Sequence, residues 1–132
     1  METDKEKIIY EFCLLRYVPD IERGEFINVG LLMMCKRHKW LRTGIRLVPE
    51  RIERLSGRVD LNLLERQLGV FKKRDVPAKD LPVEEKYRWM AAVKSAIIQT
   101  SPSHPGILYT TPDSAREALE NKFDSLFNRL VE

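Results

Sequence analysis

Arg16, Asp20, Arg23, Glu25 and Asn28 are the residues of this chain whose types and spacing suit chemistry. An arginine presents a planar fork to a carboxylate or phosphate, and two carboxylates beside it can hold a cation or pass a proton. All five fall within Arg16 to Gly30, where two apolar runs are joined by a charged turn. The competing account is structural. The arginines pair with Asp20, Glu22 or Glu25 and fix the turn, while Asn28 satisfies turn backbone, because partly buried polar groups need partners. A second candidate set is Lys36, Arg37, Lys39 and Arg42, with His38 and Trp40 interleaved. It reads either as phosphate contacts with a ring to stack on a base, or as a charged turn that keeps an edge strand soluble.

Other chemistries find no support in the spacing. His38 and His104 belong to no His/Cys pair with ligand spacing, so no metal is expected. Gly24 and Gly30 bracket the start of a strand and do not open a helix, so no phosphate-cradling loop is formed. No nucleophile elbow, HExxH or paired redox cysteine occurs, and no cofactor is expected. Cys13 and Cys35 sit inside apolar runs and read as small buried hydrophobes. The net charge is only +3, yet residues 36–74 hold twelve Lys/Arg against four Asp/Glu, which raises an anionic partner as a hypothesis. The charged start, with only a short apolar run after it, fits neither a signal peptide nor a membrane span, so a cytoplasmic address is expected.

These residues are positioned by elements that the apolar pattern predicts. From Ile8, a strand carries Ile8, Tyr10, Phe12 and Leu14 on one face and Ile9, Glu11, Cys13 and Leu15 on the other, ending at Pro19. Asp20 to Gly24 is a loop, and Phe26 to Cys35 is the central strand, with Asn28 and Gly30 on one face of it. A hairpin leads to a third strand over Trp40 to Leu47, where Leu41, Thr43, Ile45 and Leu47 are buried and Arg42, Gly44 and Arg46 are wet. Pro49 opens a short helix that Gly57 ends, and Asp60 caps a second helix with Leu61, Leu64, Leu68 and Phe71 on its apolar stripe. The prolines of residues 75–82 mark a connector. A longer helix is expected from Val83 to about Gln99, broken by Thr100 to Gly106, before a short strand over Ile107 to Thr110. Thr111 and Pro112 begin the last helix, whose stripe is Ala115, Leu119, Phe123, Leu126 and Leu130. The expectation is one α+β domain spanning residues 1–132, with a signature hairpin over 8–35, a helical region over 49–99 and a C-terminal strand and helix over 107–131. Its sheet is mainly antiparallel, of three to four strands, with two main helices packed on it.

The run Arg16-Tyr17-Val18-Pro19-Asp20, followed by Arg23-Gly24-Glu25-Phe26 and Asn28-Val29-Gly30, resembles the opening signature of the bacterial domain-of-unknown-function family numbered 3037. The ending, Leu126-Phe127-Asn128-Arg129-Leu130-Val131 after a Ser/Pro segment, is similar to the same family. The resemblance supplies no catalytic residues. It implies an accessory or protein-binding domain that partners a kinase-like protein, and the leading expectation here is that such a partner docks near the signature hairpin. Two other readings stand beside it: a small phosphate-directed enzyme using Asp20 and Glu25 with Arg23, and a nucleic-acid binder using the basic middle segment.

Overall fold

The computed structural model describes residues 5–71, 80–92 and 97–132. Strand β1 (Glu6–Asp20) is the spine of the sheet. It pairs along one edge with β2 (Glu25–Cys35), which in turn pairs with β3 (Trp40–Ile45). Its other edge is shared by β4 (Ile98–Thr100) and β5 (His104–Thr110), one after the other. Every pairing is antiparallel. A strand of 15 residues is about 50 Å long, which is why two short strands fit end to end beside it.

Helices cover both faces, so the fold is α+β as the pattern implies. On one side, α1 (Pro49–Ser56), α2 (Leu61–Leu68) and α3 (Val83–Ala92) bring Ile52, Leu64, Leu68, Tyr87 and Met90 onto Cys13, Leu15, Tyr17, Leu32 and Met34. On the other, α4 (Ala115–Leu130) lays Leu119, Phe123 and Leu126 onto Ile8, Tyr10, Leu14, Leu31 and Met33. From Cys13 to Val18 both faces of β1 are therefore covered, and the near-continuous hydrophobicity of that half follows. Several local signals act as their chemistry dictates. Pro49 stands in the first turn of α1, Gly57 closes it, and the Asp60 carboxylate accepts from the Leu63 amide to cap α2.

Five expectations need correction, and pairing or packing explains each. Asn28 and Gly30 do not share a face. The ladder passes from Leu15–Gly30 to Arg16–Asn28, so Val29 is an extra residue, and this β-bulge inverts the alternation. Gly30 then points at Leu15, where a Cβ would lie 2.8 Å from the Leu15 side chain and 2.9 Å from the Gly44 carbonyl. Asn28 points instead toward α4. Strand β1 also runs past Pro19 to Asp20, accommodated by a second register shift between Tyr17 and Asp20.

Residues Ile98 to Thr100 are strand, not the end of a helix begun at Val83; α3 is described to Ala92, and residues 93–96 of that expected helix lie outside the described residues. Pairing with Leu15, Arg16 and Tyr17 overrides the helical period there. Nor is Thr100 to Gly106 a break between elements, because β5 already begins at His104. Between β4 and β5, the Ser101 hydroxyl accepts from the Leu14 amide at 2.8 Å and the Ser101 amide donates to the Leu14 carbonyl at 2.8 Å, so the ladder continues through a bulge. The face of β3 expected to be wet is roofed by α4: Arg42 lies over the Phe123 ring and Arg46 over the Phe127 ring. Of the expected connector over 75–82, residues 75–79 lie outside the described residues.

Both cysteines are free and fully buried. Burial pushes the Cys13 thiol up to about 11, against a smaller opposing effect of a hydrogen bond with Tyr87. Burial likewise raises the Tyr87 phenol well above its ordinary value. An unfolded thiol ionises near ~8.5, so the unfolded chain loses its proton first as pH rises. The stability due to the protonated, buried Cys13 is whole below that pH and is lost on the way to the folded value. Denaturant titrations from pH 8 upward are expected to show unfolding free energy falling by up to about 1.4 kcal/mol per pH unit, with this part of the slope missing in Cys13→Ala. Equal slopes in the two proteins would contradict the assignment.

Candidate functional site

The five signature residues divide into two groups. Asp20, Arg23 and Glu25 occupy the turn between β1 and β2 and partner one another's backbone and charge. The Asp20 carboxylate accepts from the Glu22 amide, Gly24 takes the left-handed φ of 70° that closes the turn, and Arg23 pairs with Glu25 at 2.6 Å. All three are exposed. An exposed pair of this kind contributes little, about 0–1 kcal/mol. The turn therefore has a structural account in hairpin geometry, and its two acids and Arg23 lie together in the open.

Arg16 and Asn28 are register partners on the sheet, on the α4 side. The far end of the chain explains the Nδ2 of Asn28, while its Oδ1 is closed to solvent without a hydrogen-bond partner among the described residues. Its amide donates to the Leu130 carbonyl at 3.1 Å, across 102 residues. Helix α4 ends in carbonyls that lack intrahelical partners, and the terminal residues are held in the same way: Arg46 donates to Val131 at 2.8 Å and to Asn128, and Arg51 donates to the Glu132 carbonyl. Asn28 is thus part of a clamp on the C-terminal end of α4. The Phe26 ring lies 4.1 Å from the Arg16 guanidinium carbon.

The basic candidates also divide. Arg42 belongs with α4, bonded to Glu120 at 2.6 Å and paired with Asp124 at 3.1 Å. Trp40 is buried and donates through Nε1 to Glu120, and His38 bonds Glu6 at 2.9 Å. The buried Trp40 ring has no free face to stack on a base. Lys36, Arg37 and Lys39 remain in the exposed β2–β3 turn, where Lys39 takes a φ of 51° and Arg37 pairs with Glu6 at 3.0 Å.

That turn borders a groove of about 540 Å³ lined by Lys7, Ile9, Glu11, Met34, Lys36 and Arg37. The groove lies on the same side of the sheet as α1 to α3, over the part of β1 that precedes Cys13. There Ile9 pairs with Ile107, and Lys7 with Tyr109. Ile9, Ile107 and Tyr109 are 55%, 49% and 67% exposed, the largest apolar exposure gathered in one place on the sheet. Lys7 and Lys36 have no ion-pair partner among the described residues.

The sequence profile described as Protein of unknown function (DUF3037) matches residues 12–131. The chain belongs to the DUF3037 family. No curated protein and no solved structure matches it. Two general features of this DUF3037 protein bear on function. Among the described residues, no group of three or more His, Cys, Asp or Glu is placed to hold a metal ion, and no helix is long and apolar enough to cross a membrane. The open sheet face of the DUF3037 protein is not predicted by the sequence pattern. Ile9 falls in a strand whose two largely apolar faces predict an interior or doubly covered position, and Ile107 in a short strand with no predicted partner. The available signal was Ile107-Leu108-Tyr109, where a strand alternating with Gly106 and Thr110 has apolar residues on both faces. Only the register of β5 on β1 shows that one of those faces is open.

Proposed function

We propose that this protein is a non-catalytic protein-binding module whose interface is the open half of the sheet. The segment it takes carries apolar side chains flanked by carboxylates. The observation that carries this reading is the cluster of exposed Ile9, Ile107 and Tyr109 beside a groove floored by Met34. Exposed apolar patches with a polar rim mark interaction surfaces, and the unpaired Lys7 and Lys36 on this rim select for acidic neighbours. A nucleic acid is less well matched, since Trp40 and His38 are already engaged. The family resemblance suggests a kinase-like protein in the bacterial cytoplasm as the partner. A second docking reading, at the signature hairpin, is favoured by Ile21 and Phe26, which are 62% and 43% exposed at the opposite end of β1.

Selection of random peptides displayed on phage against the full chain separates the two. Enriched peptides are expected to place hydrophobic residues beside Asp or Glu, to lose binding to Ile9→Asp, and to keep binding to Ile21→Asp. Both positions are exposed, so folding should survive either change, as thermal unfolding would verify. Enrichment of basic peptides, or loss with Ile21→Asp alone, would overturn the open-face reading.

A further inference from the structure

Arg16 is the charged signature residue that hairpin geometry and the α4 clamp leave without a polar partner, and the Oδ1 of its register partner Asn28 is likewise closed to solvent and unbonded among the described residues. Among the described residues its guanidinium enters no ion pair and no hydrogen bond, and its Nε is closed to solvent with nothing to donate to. Four arginines of the sheet and its turns are engaged: Arg23 by Glu25, Arg37 by Glu6, Arg42 by Glu120 and Asp124, and Arg46 by Val131 and Asn128. What sets Arg16 apart is that its unbonded Nε is buried. A guanidinium cannot escape the cost of partial burial by losing its proton. A charge drawn partly out of water without a counter-charge is unfavourable, and stacking on Phe26 returns only part of that. Arginine Nε groups shut inside a folded sheet without a partner call for a physical reason. A counter-charge that arrives with a ligand supplies one.

We infer that Arg16 is a receptor for a single carboxylate group. Its register partners on either side, Asn28 and Gln99, are uncharged, so the local charge is that of one guanidinium, which matches a monoanion. A phosphate dianion is matched by more than one cation or by a helix N-terminus. With Nε closed, the edge left for an anion is the terminal Nη pair, which meets both oxygens of a carboxylate in parallel. Phe26, half-exposed above the guanidinium, holds the fork in one plane. The carboxylate can belong to a free small acid or to an acidic side chain of a protein. This inference is independent of the open-face reading, because Arg16 lies on the α4 side of the sheet and Ile9 on the other.

The test follows the Arg16 Nε–H signal and the Asn28 and Gln99 backbone amides of the ¹⁵N-labelled full chain by NMR. Sodium acetate is added, in parallel with sodium chloride at equal ionic strength, inorganic phosphate, and an N-acetylated, C-amidated peptide containing glutamate. Acetate and the peptide are expected to shift these signals saturably and chloride is not. Half-saturation at lower concentration by the peptide assigns the site to a protein side chain, and the reverse order assigns it to a free acid. Arg16→Gln should abolish the amide shifts. Phe26→Ala, which removes a partly exposed ring and leaves the fold intact, should weaken acetate binding several-fold, and it carries the test if Arg16→Gln does not fold. Shifts reproduced by chloride, shifts that persist in Arg16→Gln, or saturation by phosphate below every carboxylate would each overturn the assignment.

Discussion

Phe123→Ala is expected to remove about 3–5 kcal/mol of stability, the largest loss from any single truncation on the α4 side of the sheet. The ring is fully buried at the centre of that interface. It meets the Trp40 ring edge-on at 6.4 Å, stacks with Phe127 at 5.9 Å, and carries the Arg42 guanidinium at 4.1 Å. Beneath it is Gly44, where a Cβ would approach the Phe123 and Phe127 rings to within 2.9–3.1 Å. Truncation therefore opens a cavity that a glycine on the opposite side cannot fill, and it strips Arg42 of its stacking partner while Glu120 and Asp124 still hold it. Natural domains of this size are stable by about 5–15 kcal/mol, so the variant should unfold at much lower urea than the parent, with the slope of the transition unchanged. A loss under about 1 kcal/mol would mean that α4 packs on the sheet without depending on this ring.

Gly106→Ala is expected to cost about 1–3 kcal/mol, far more than a surface strand substitution. Gly106 pairs with Tyr10 across β1 and β5, and a Cβ would lie 2.1–2.6 Å from the Tyr10 ring and hydroxyl. Tyr10 is buried against the α4 side and stacks near Phe12, so its ring has little room to turn aside. The aromatic ring lies over the bare glycine backbone, an arrangement that strengthens a strand otherwise weakened by glycine. A double-mutant cycle checks the cause. In a Tyr10→Val background the same Gly106→Ala change should cost much less, because the atoms it collides with are gone. Equal cost in both backgrounds would point to backbone conformation instead.

Legibility followed the range of the interaction. Pro49, Gly57, Asp60 and Gly24 act through bonds and dihedrals within a few residues, and each does what its type predicts. The alternation of Ile8 to Leu15 was equally readable, since a strand's period sets its faces wherever it lies. Failures came where a distant partner decides. A helical stripe through Ile97 gave way to pairing of Ile98 with Tyr17. The alternation through Asn28 and Gly30 was inverted by Val29; two poor strand residues mark a place that needs a bulge or a close approach, and only the pairing with β1 shows that both occur there. Arg42 looked like a member of a basic cluster, and its partners Glu120 and Asp124 are about eighty residues away in the chain.

The sequence alone determined that the chain is α+β, that its first two strands form a hairpin around a charged turn, and that its last helix has an apolar face to bury. Period, caps and turn chemistry are properties of short stretches, so one chain suffices to read them. Tertiary structure alone decided what the signature residues face. It turned Asn28 to the end of α4, paired Arg23 with Glu25 in the turn, and left Arg16 half-buried against Phe26 with no ion-pair or hydrogen-bond partner among the described residues. It also left Ile9, Ile107 and Tyr109 open while the opposite face was roofed. Which side of a sheet is covered depends on where helices far along the chain come to rest. No local pattern encodes that.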